Sequence, residues 1–102
     1  MRSIRVDDGV ARSLINNTSL WESFPFLKAA HTRLVNIKPP NTKCPVCAKK
    51  AILSDTNSIL EEVRSRICML TPDKRKILKQ TLNADELKVT IITRKGPEEY
   101  IL

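Results

Sequence analysis

The candidate chemistry of this chain is concentrated in one stretch, Lys43-Cys44-Pro45-Val46-Cys47-Ala48-Lys49-Lys50. Two cysteines separated by two residues on a tight turn can both bind one tetrahedral metal ion. A single Cys-x-x-Cys turn supplies only half of a four-ligand zinc site. Two further ligands must therefore come from elsewhere in the chain, or the cysteine pair has another role.

The one histidine and the third cysteine are the remaining candidate ligands. The predicted zinc ligands are His31, Cys44, Cys47 and Cys68, separated by gaps of twelve, two and twenty residues. Zinc binds four sulfur or nitrogen ligands in a tetrahedron. Because this set uses every cysteine and the only histidine, the sequence predicts a zinc cofactor. Such a metal would staple a domain whose own core is small.

These ligands also have interpretations that involve no metal. His31 falls on the apolar face of a predicted helix and points inward, and a lone histidine there is more often a hydrogen-bonded core residue. Cys68 lies off the apolar stripe of its predicted helix. It is therefore either a metal ligand on the flank of that helix or an exposed thiol. The Cys44 and Cys47 turn is the strongest part of the set, and it would carry no metal if the prediction fails.

Redox chemistry is the rival interpretation of the cysteine pair. Basic neighbours lower the pKa of a thiol, which favours a thiol oxidoreductase. Thioredoxin-like motifs, however, directly follow a buried strand and open a helix. Here a proline-containing connector at residues 38–43 precedes Cys44.

A length of 102 residues predicts a single small domain, residues 1–102. Two glycines in the whole chain favour helices over a turn-rich all-β fold. The odd number of cysteines argues against a complete disulfide framework. We expect neither a signal peptide nor a membrane span, and we expect the protein in the cytoplasm or in a particle assembled there.

Apolar periodicity and helix-boundary residues predict the helices, which span residues 10–15, 23–35, 56–70 and 72–82. Ser54 and Asp55 are interpreted as caps of the third helix. The pair Thr71-Pro72 marks the start of the fourth, because proline is favoured at the first helical position. Asn83 then closes this helix in a left-handed turn.

Alternating apolar residues predict the strands, which span residues 3–6, 87–93 and 98–102. The predicted fold class is therefore α+β. It is a small, mostly helical domain of three to four helices with a C-terminal β-strand or hairpin, stapled by a zinc site.

The net charge of +7 is distributed unevenly. Residues 40–79 carry nine lysines and arginines against four acidic residues. A basic excess around the cysteine turn favours a polyanionic partner, either a nucleic acid or an acidic protein surface. The candidate nucleic-acid contacts are Lys43, Lys49, Lys50, Lys74, Arg75, Lys76 and Lys79.

The sequence has no hydrolase constellation and no glycine-rich phosphate loop, which argues against an enzyme. The favoured hypothesis is a small, non-catalytic, zinc-stapled structural or interaction protein. It would dock onto the protein subunits of a larger assembly, such as a virus particle. The alternative is a zinc-containing nucleic-acid-binding module, such as a small transcription regulator, and a thiol oxidoreductase is the third hypothesis. We expect no membrane partner and no small-molecule substrate.

Overall fold

Residues 2–102 are described by a computed structural model, with four α-helices, one 3-10 helix and a three-stranded sheet in that range. The elements are, in chain order, β1 (Ser3–Val6), α1 (Asp8–Ile15), the 3-10 helix (Thr18–Leu20), α2 (Pro25–Val35), α3 (Pro45–Cys68), α4 (Pro72–Leu82), β2 (Glu86–Thr93) and β3 (Gly96–Ile101). The predicted α+β class and the C-terminal hairpin are confirmed.

The central strand of the sheet is β2. It pairs in parallel with β1, where Ile4 lies opposite Leu87, and antiparallel with β3, where Val89 lies opposite Tyr100. The backbone N–H of Arg2 donates to the carboxylate of Asp85 over 2.8 Å, just before β2 begins. The N-terminal strand is therefore held beside the C-terminal hairpin, a pairing that the alternation of apolar residues does not predict.

The core lies between one face of this sheet and the helices. Val6, Leu87 and Val89 supply the sheet side and are at most 2% exposed. The helices supply the other side, with the buried residues Ala11, Leu14, Ile15, Leu27, Ala30, Ile59, Leu60, Val63, Ile67 and Leu78. On α4, Leu78 takes the inward position, and the neighbouring Ile77 is 36% exposed.

Helix boundaries follow the residues at their ends. Thr71 caps α4 by accepting a hydrogen bond from the N–H of Lys74, and Asn83 ends it with a left-handed φ of 52°. Helix α4 therefore begins and ends at the predicted residues, 72 and 82. The helices predicted at 10–15 and 23–35 each differ from α1 and α2 by two residues at their first turn.

The main departure from the prediction is α3. A helix was expected at residues 56–70, but α3 has 24 residues and begins at Pro45. Cys44 acts as its N-cap and Pro45 occupies the first helical position. Because the helix has already started, Ser54 and Asp55 lie inside it and do not cap it.

The two halves of α3 have different environments. Its second half buries Thr56, Ile59, Leu60, Val63 and Ile67. Between residues 36 and 54, by contrast, no side chain is buried. We call residues 36–54, the connector and the first part of α3, the arm.

Candidate functional site

The cysteine pair lies in the middle of the arm, at the turn where the connector enters α3. We call this turn, residues 43–47, the tip of the arm. The N–H of Cys44 donates to the Thr42 hydroxyl over 3.2 Å, which fixes the backbone entering the helix. The N–H of Cys47 donates to the Cys44 sulfur over 3.4 Å. Both cysteines are exposed and neither forms a disulfide. The first turn of α3 therefore presents two thiols side by side at the surface.

The two thiols differ in acidity because they are hydrogen-bonded to each other. The hydrogen bond from the Cys47 thiol, followed by that from the Cys47 backbone N–H, lowers the pKa of Cys44. Donating that hydrogen bond raises the pKa of Cys47, and partial desolvation adds to the increase. Cys44 is thus the sulfur that more readily becomes a thiolate, the form that binds metals and attacks disulfides.

His31 lies away from this turn, on α2. Its ring packs against Trp21 in a T-shaped contact with centroids 5.0 Å apart, and its Nδ1 is buried without a hydrogen-bond partner in residues 2–102. The last turn of α2 reaches α3 near Asp55, where residues of both helices line a shallow groove. Cys47 precedes Asp55 by eight residues on α3, a distance of about 12 Å along a helix axis.

Cys68 is at the opposite end of α3 from the pair. Cys68 follows Cys47 by 21 positions, which correspond to about 31 Å along the helix axis. Cys68 is half-buried, and burial raises the pKa of its thiol, an effect that the nearby Arg75 partly opposes. The continuity of α3 therefore prevents Cys68 from reaching the pair.

The structure thus brings together Cys44 and Cys47 and leaves His31 and Cys68 apart from them. Within residues 2–102, no three histidine, cysteine or acidic side chains are grouped so that they could hold a metal ion. Residues 2–102 therefore do not group the four predicted ligands, His31, Cys44, Cys47 and Cys68, at one place. None of the cysteines is among the fully buried core residues, although Cys68 packs against them.

The predicted basic set is divided between two places. Lys43, Lys49 and Lys50 lie on the arm together with Lys38, and residues 36–54 include no acidic side chain. The other four, Lys74, Arg75, Lys76 and Lys79, lie on α4. The start of α4 is at the far end of α3, where the Arg75 guanidinium donates to the Cys68 carbonyl over 3.3 Å.

The α4 cations are partly engaged within the fold. The Lys74 ammonium lies 5.8 Å from the centroid of the buried Phe24 ring, a cation–π contact. Arg75 is half-buried and Lys76 is exposed. The most open positive surface is therefore the arm, which also carries the thiol pair.

Comparisons of the chain with models of known protein families, with curated proteins and with solved structures find no match. Among residues 2–102, no helix has the length and apolar character needed to cross a membrane. The contacts and charges of the arm are therefore the basis for a functional proposal.

Two exposed apolar residues of the arm were not predicted from the sequence. Val46 and Leu53 are 60% and 58% exposed. They are seven residues apart and so lie on one face of α3, with Lys49 and Lys50 between them. The signal that could have found this face is Cys44-Pro45, which marks a helix start in the same way as Thr71-Pro72.

Proposed function

We propose that this chain is a small, non-catalytic interaction protein that docks onto the protein subunits of a larger assembly through its arm. The observation that carries the proposal is that residues 36–54 bury no side chain, yet hold the thiol pair, four lysines and two exposed apolar residues. In this proposal zinc binds at Cys44 and Cys47 and shapes the tip of the arm, not the core.

Free energy considerations support a binding role for the arm. Ordering each backbone residue costs about 1–2 kcal/mol of conformational entropy, which buried contacts usually offset. In the first part of α3 no side chain is fully buried, and Ala48, Ala51 and Ile52 are only partly buried. A partner that covers Val46 and Leu53 would bury their side chains, and Lys49 and Lys50 would face its acidic groups.

Nucleic acid is the alternative partner, and the charge of the arm favours it. Four lysines with no acidic residue across positions 36–54 would contact phosphates without repulsion. Each phosphate contact contributes about −0.9 to the slope of log K against log salt for duplex DNA. Replacing Lys43, Lys49 and Lys50 by glutamine would therefore flatten that slope by roughly 3 units if the arm binds DNA.

The test of docking is sedimentation of the tagged chain in lysates of the cells that normally produce it. The arm variant carries Lys43→Glu, Lys49→Glu and Lys50→Glu. A charge-matched control carries Lys28→Glu, Arg94→Glu and Lys95→Glu, which are exposed positions outside the arm. We expect the wild-type chain and the control to sediment with a high-mass complex and the arm variant to remain at the top of the gradient.

Two results would count against docking onto protein subunits. Sedimentation of the wild-type chain as a free protein would contradict docking of any kind. Release of the chain from the complex by nuclease treatment would show that it is held through nucleic acid and would support the alternative.

The oxidoreductase hypothesis rests on the lowered pKa of Cys44 and the adjacent Cys47. The fold around them differs from the expected redox motif, since α2 and a connector precede the pair and the sheet lies elsewhere. Equilibration of the chain in glutathione buffers distinguishes metal binding from thiol–disulfide exchange at the cysteine pair. A reversible disulfide between Cys44 and Cys47 that turns over substrate disulfides would support the oxidoreductase.

A further inference from the structure

We propose that two copies of this chain share one zinc ion, with each copy supplying Cys44 and Cys47 from the tip of its arm. This inference rests on the proposed zinc binding by the cysteine pair. The structure provides two adjacent sulfur ligands, and zinc in structural sites takes four. Because no third ligand is grouped with them in residues 2–102, the site is incomplete within one chain.

The pair is already arranged for a metal. In a tetrahedron with zinc–sulfur distances of about 2.3 Å, neighbouring sulfurs lie about 3.8 Å apart. The N–H of Cys47 donates to the Cys44 sulfur over 3.4 Å, so both cysteines lie on one helical turn and binding requires little rearrangement of the backbone. All residues from 38 to 47 are exposed, so a second tip can approach without moving any part of the fold.

Charge at the tip suits four thiolates around one zinc ion. Zinc binding replaces the thiol protons, which pass to the buffer, and the resulting centre has a formal charge of −2. Each copy places a helix N-terminus beside this centre, where the helix dipole favours negative charge. Each copy also brings Lys43, Lys49 and Lys50 to its surroundings. The helix N-termini and lysines of two arms together therefore offset the negative charge of the zinc centre. One arm alone would supply only two of its four ligands.

The same lysines make the association depend on the metal. Without zinc, two arms that each carry four lysines and no acidic residue repel each other. With zinc, the anionic centre lies between them, and the exposed Val46 side chains flank it. A second copy related by a two-fold axis presents the same two ligands, so the contact closes as a dimer and cannot extend into a fibre.

The test combines metal stoichiometry with molecular mass, in a phosphine reductant that prevents disulfides. We expect one zinc ion for two chains and a zinc-dependent doubling of the 11.6 kDa mass. Co²⁺ in place of zinc should give the visible absorption of a tetrahedral four-sulfur site. Cys44→Ser and Cys47→Ser should each lose the dimer and that absorption, whereas Cys68→Ser, the matched control, should keep both. Circular dichroism checks that each variant is folded.

The possible results separate this inference from the proposed function. One zinc ion bound by a monomeric chain would overturn the shared site and leave zinc binding and docking in place. Absence of zinc binding would overturn both the shared site and the role of zinc in docking. A dimer that forms equally well without metal, or in the absence of Cys44 and Cys47, would also overturn the shared site.

Discussion

Cys44 and Cys47 occupy one helical turn but have opposite shifts in acidity. Cys44 accepts hydrogen bonds from the thiol and the N–H of Cys47, which stabilise its thiolate and lower its pKa. Cys47 donates to that thiolate, which raises its own pKa. The two sulfurs therefore begin any metal-binding or redox reaction from different protonation states.

Alkylation of the metal-free chain should reveal this difference. Only the thiolate reacts with iodoacetamide, so the reaction of Cys44 should begin at a lower pH than that of Cys47. Cys68, half-buried and with a raised pKa, should react last. Peptide mapping by mass spectrometry after short reactions at a series of pH values measures all three. A faster reaction at Cys47 than at Cys44 would contradict the hydrogen-bond pattern.

Asn83 provides a second test at a single position. Its φ of 52° lies in the left-handed region, where a side chain without a local hydrogen bond is strained. Asn83→Ala should lower the free energy of unfolding by about 1 kcal/mol, and Asn83→Gly should leave it within a few tenths. Urea denaturation followed by circular dichroism measures both. Equal effects of the two variants would show that the turn ending α4 is not under this constraint.

The helix α3 combines a buried half and an exposed half in one continuous element. Leu60 is 1% exposed and packs in the core, whereas Leu53, two turns earlier, is 58% exposed. The same residue type therefore has two environments on one helix. This provides a matched pair of positions for measuring where the core ends.

Leu60→Ala should lower the free energy of unfolding by about 2–5 kcal/mol, because it leaves a cavity in the core. Leu53→Ala should change it by less than about 0.5 kcal/mol, since alanine also favours the helix and no buried contact is lost. Chemical denaturation measures both values. A large loss of stability at Leu53 would mean that the arm packs against the rest of the chain.

The bounds of α3 and α4 show which sequence signals are sufficient to predict where a helix begins or ends. The start of α4 was predicted from Thr71-Pro72, and its end from Asn83, because each residue favours that helix boundary through its own backbone geometry. Cys44-Pro45 carries the same signal, but its cysteine also fits a metal-binding turn, so the pair is compatible with two different local structures. Ser54 and Asp55 favour caps only where a helix has not already begun.

The four predicted zinc ligands are not grouped in residues 2–102 for a related reason. A spacing of twenty residues between Cys47 and Cys68 is compatible with a shared site if a turn intervenes. One uninterrupted helix converts that spacing into a separation of about 31 Å. Gaps along a sequence therefore predict shared ligands only once the intervening secondary structure is known. The inward orientation expected of His31 agrees with its half-buried contact with Trp21.

The fold as a whole is built without its reactive sulfurs. The core joins the helices to the sheet through aliphatic side chains and Phe24, and the exposed cysteines contribute nothing to it. The exposed cysteine turn and the core can therefore respond independently to substitution.

Cys47→Ser should change the free energy of unfolding of the isolated chain by less than about 0.5 kcal/mol, the range typical of exposed positions. A chelator should likewise leave the thermal unfolding midpoint of the monomer unchanged. Differential scanning calorimetry with and without a chelator measures the second effect. Unfolding of the wild-type monomer by a chelator would show that a metal holds the core together after all.

The hydrogen bond between the Arg2 backbone and Asp85 spans 83 positions of the sequence. On a ribosome, β1 is made about 80 residues before β2 and has no strand to pair with until β2 has been synthesised, since β2 is its neighbour in the sheet of residues 2–102. Helices can form earlier from local contacts, but the sheet that covers Val6 is completed last. Synthesis of β2, and not the appearance of any single helix, is therefore the event that allows Val6 to be covered by the sheet.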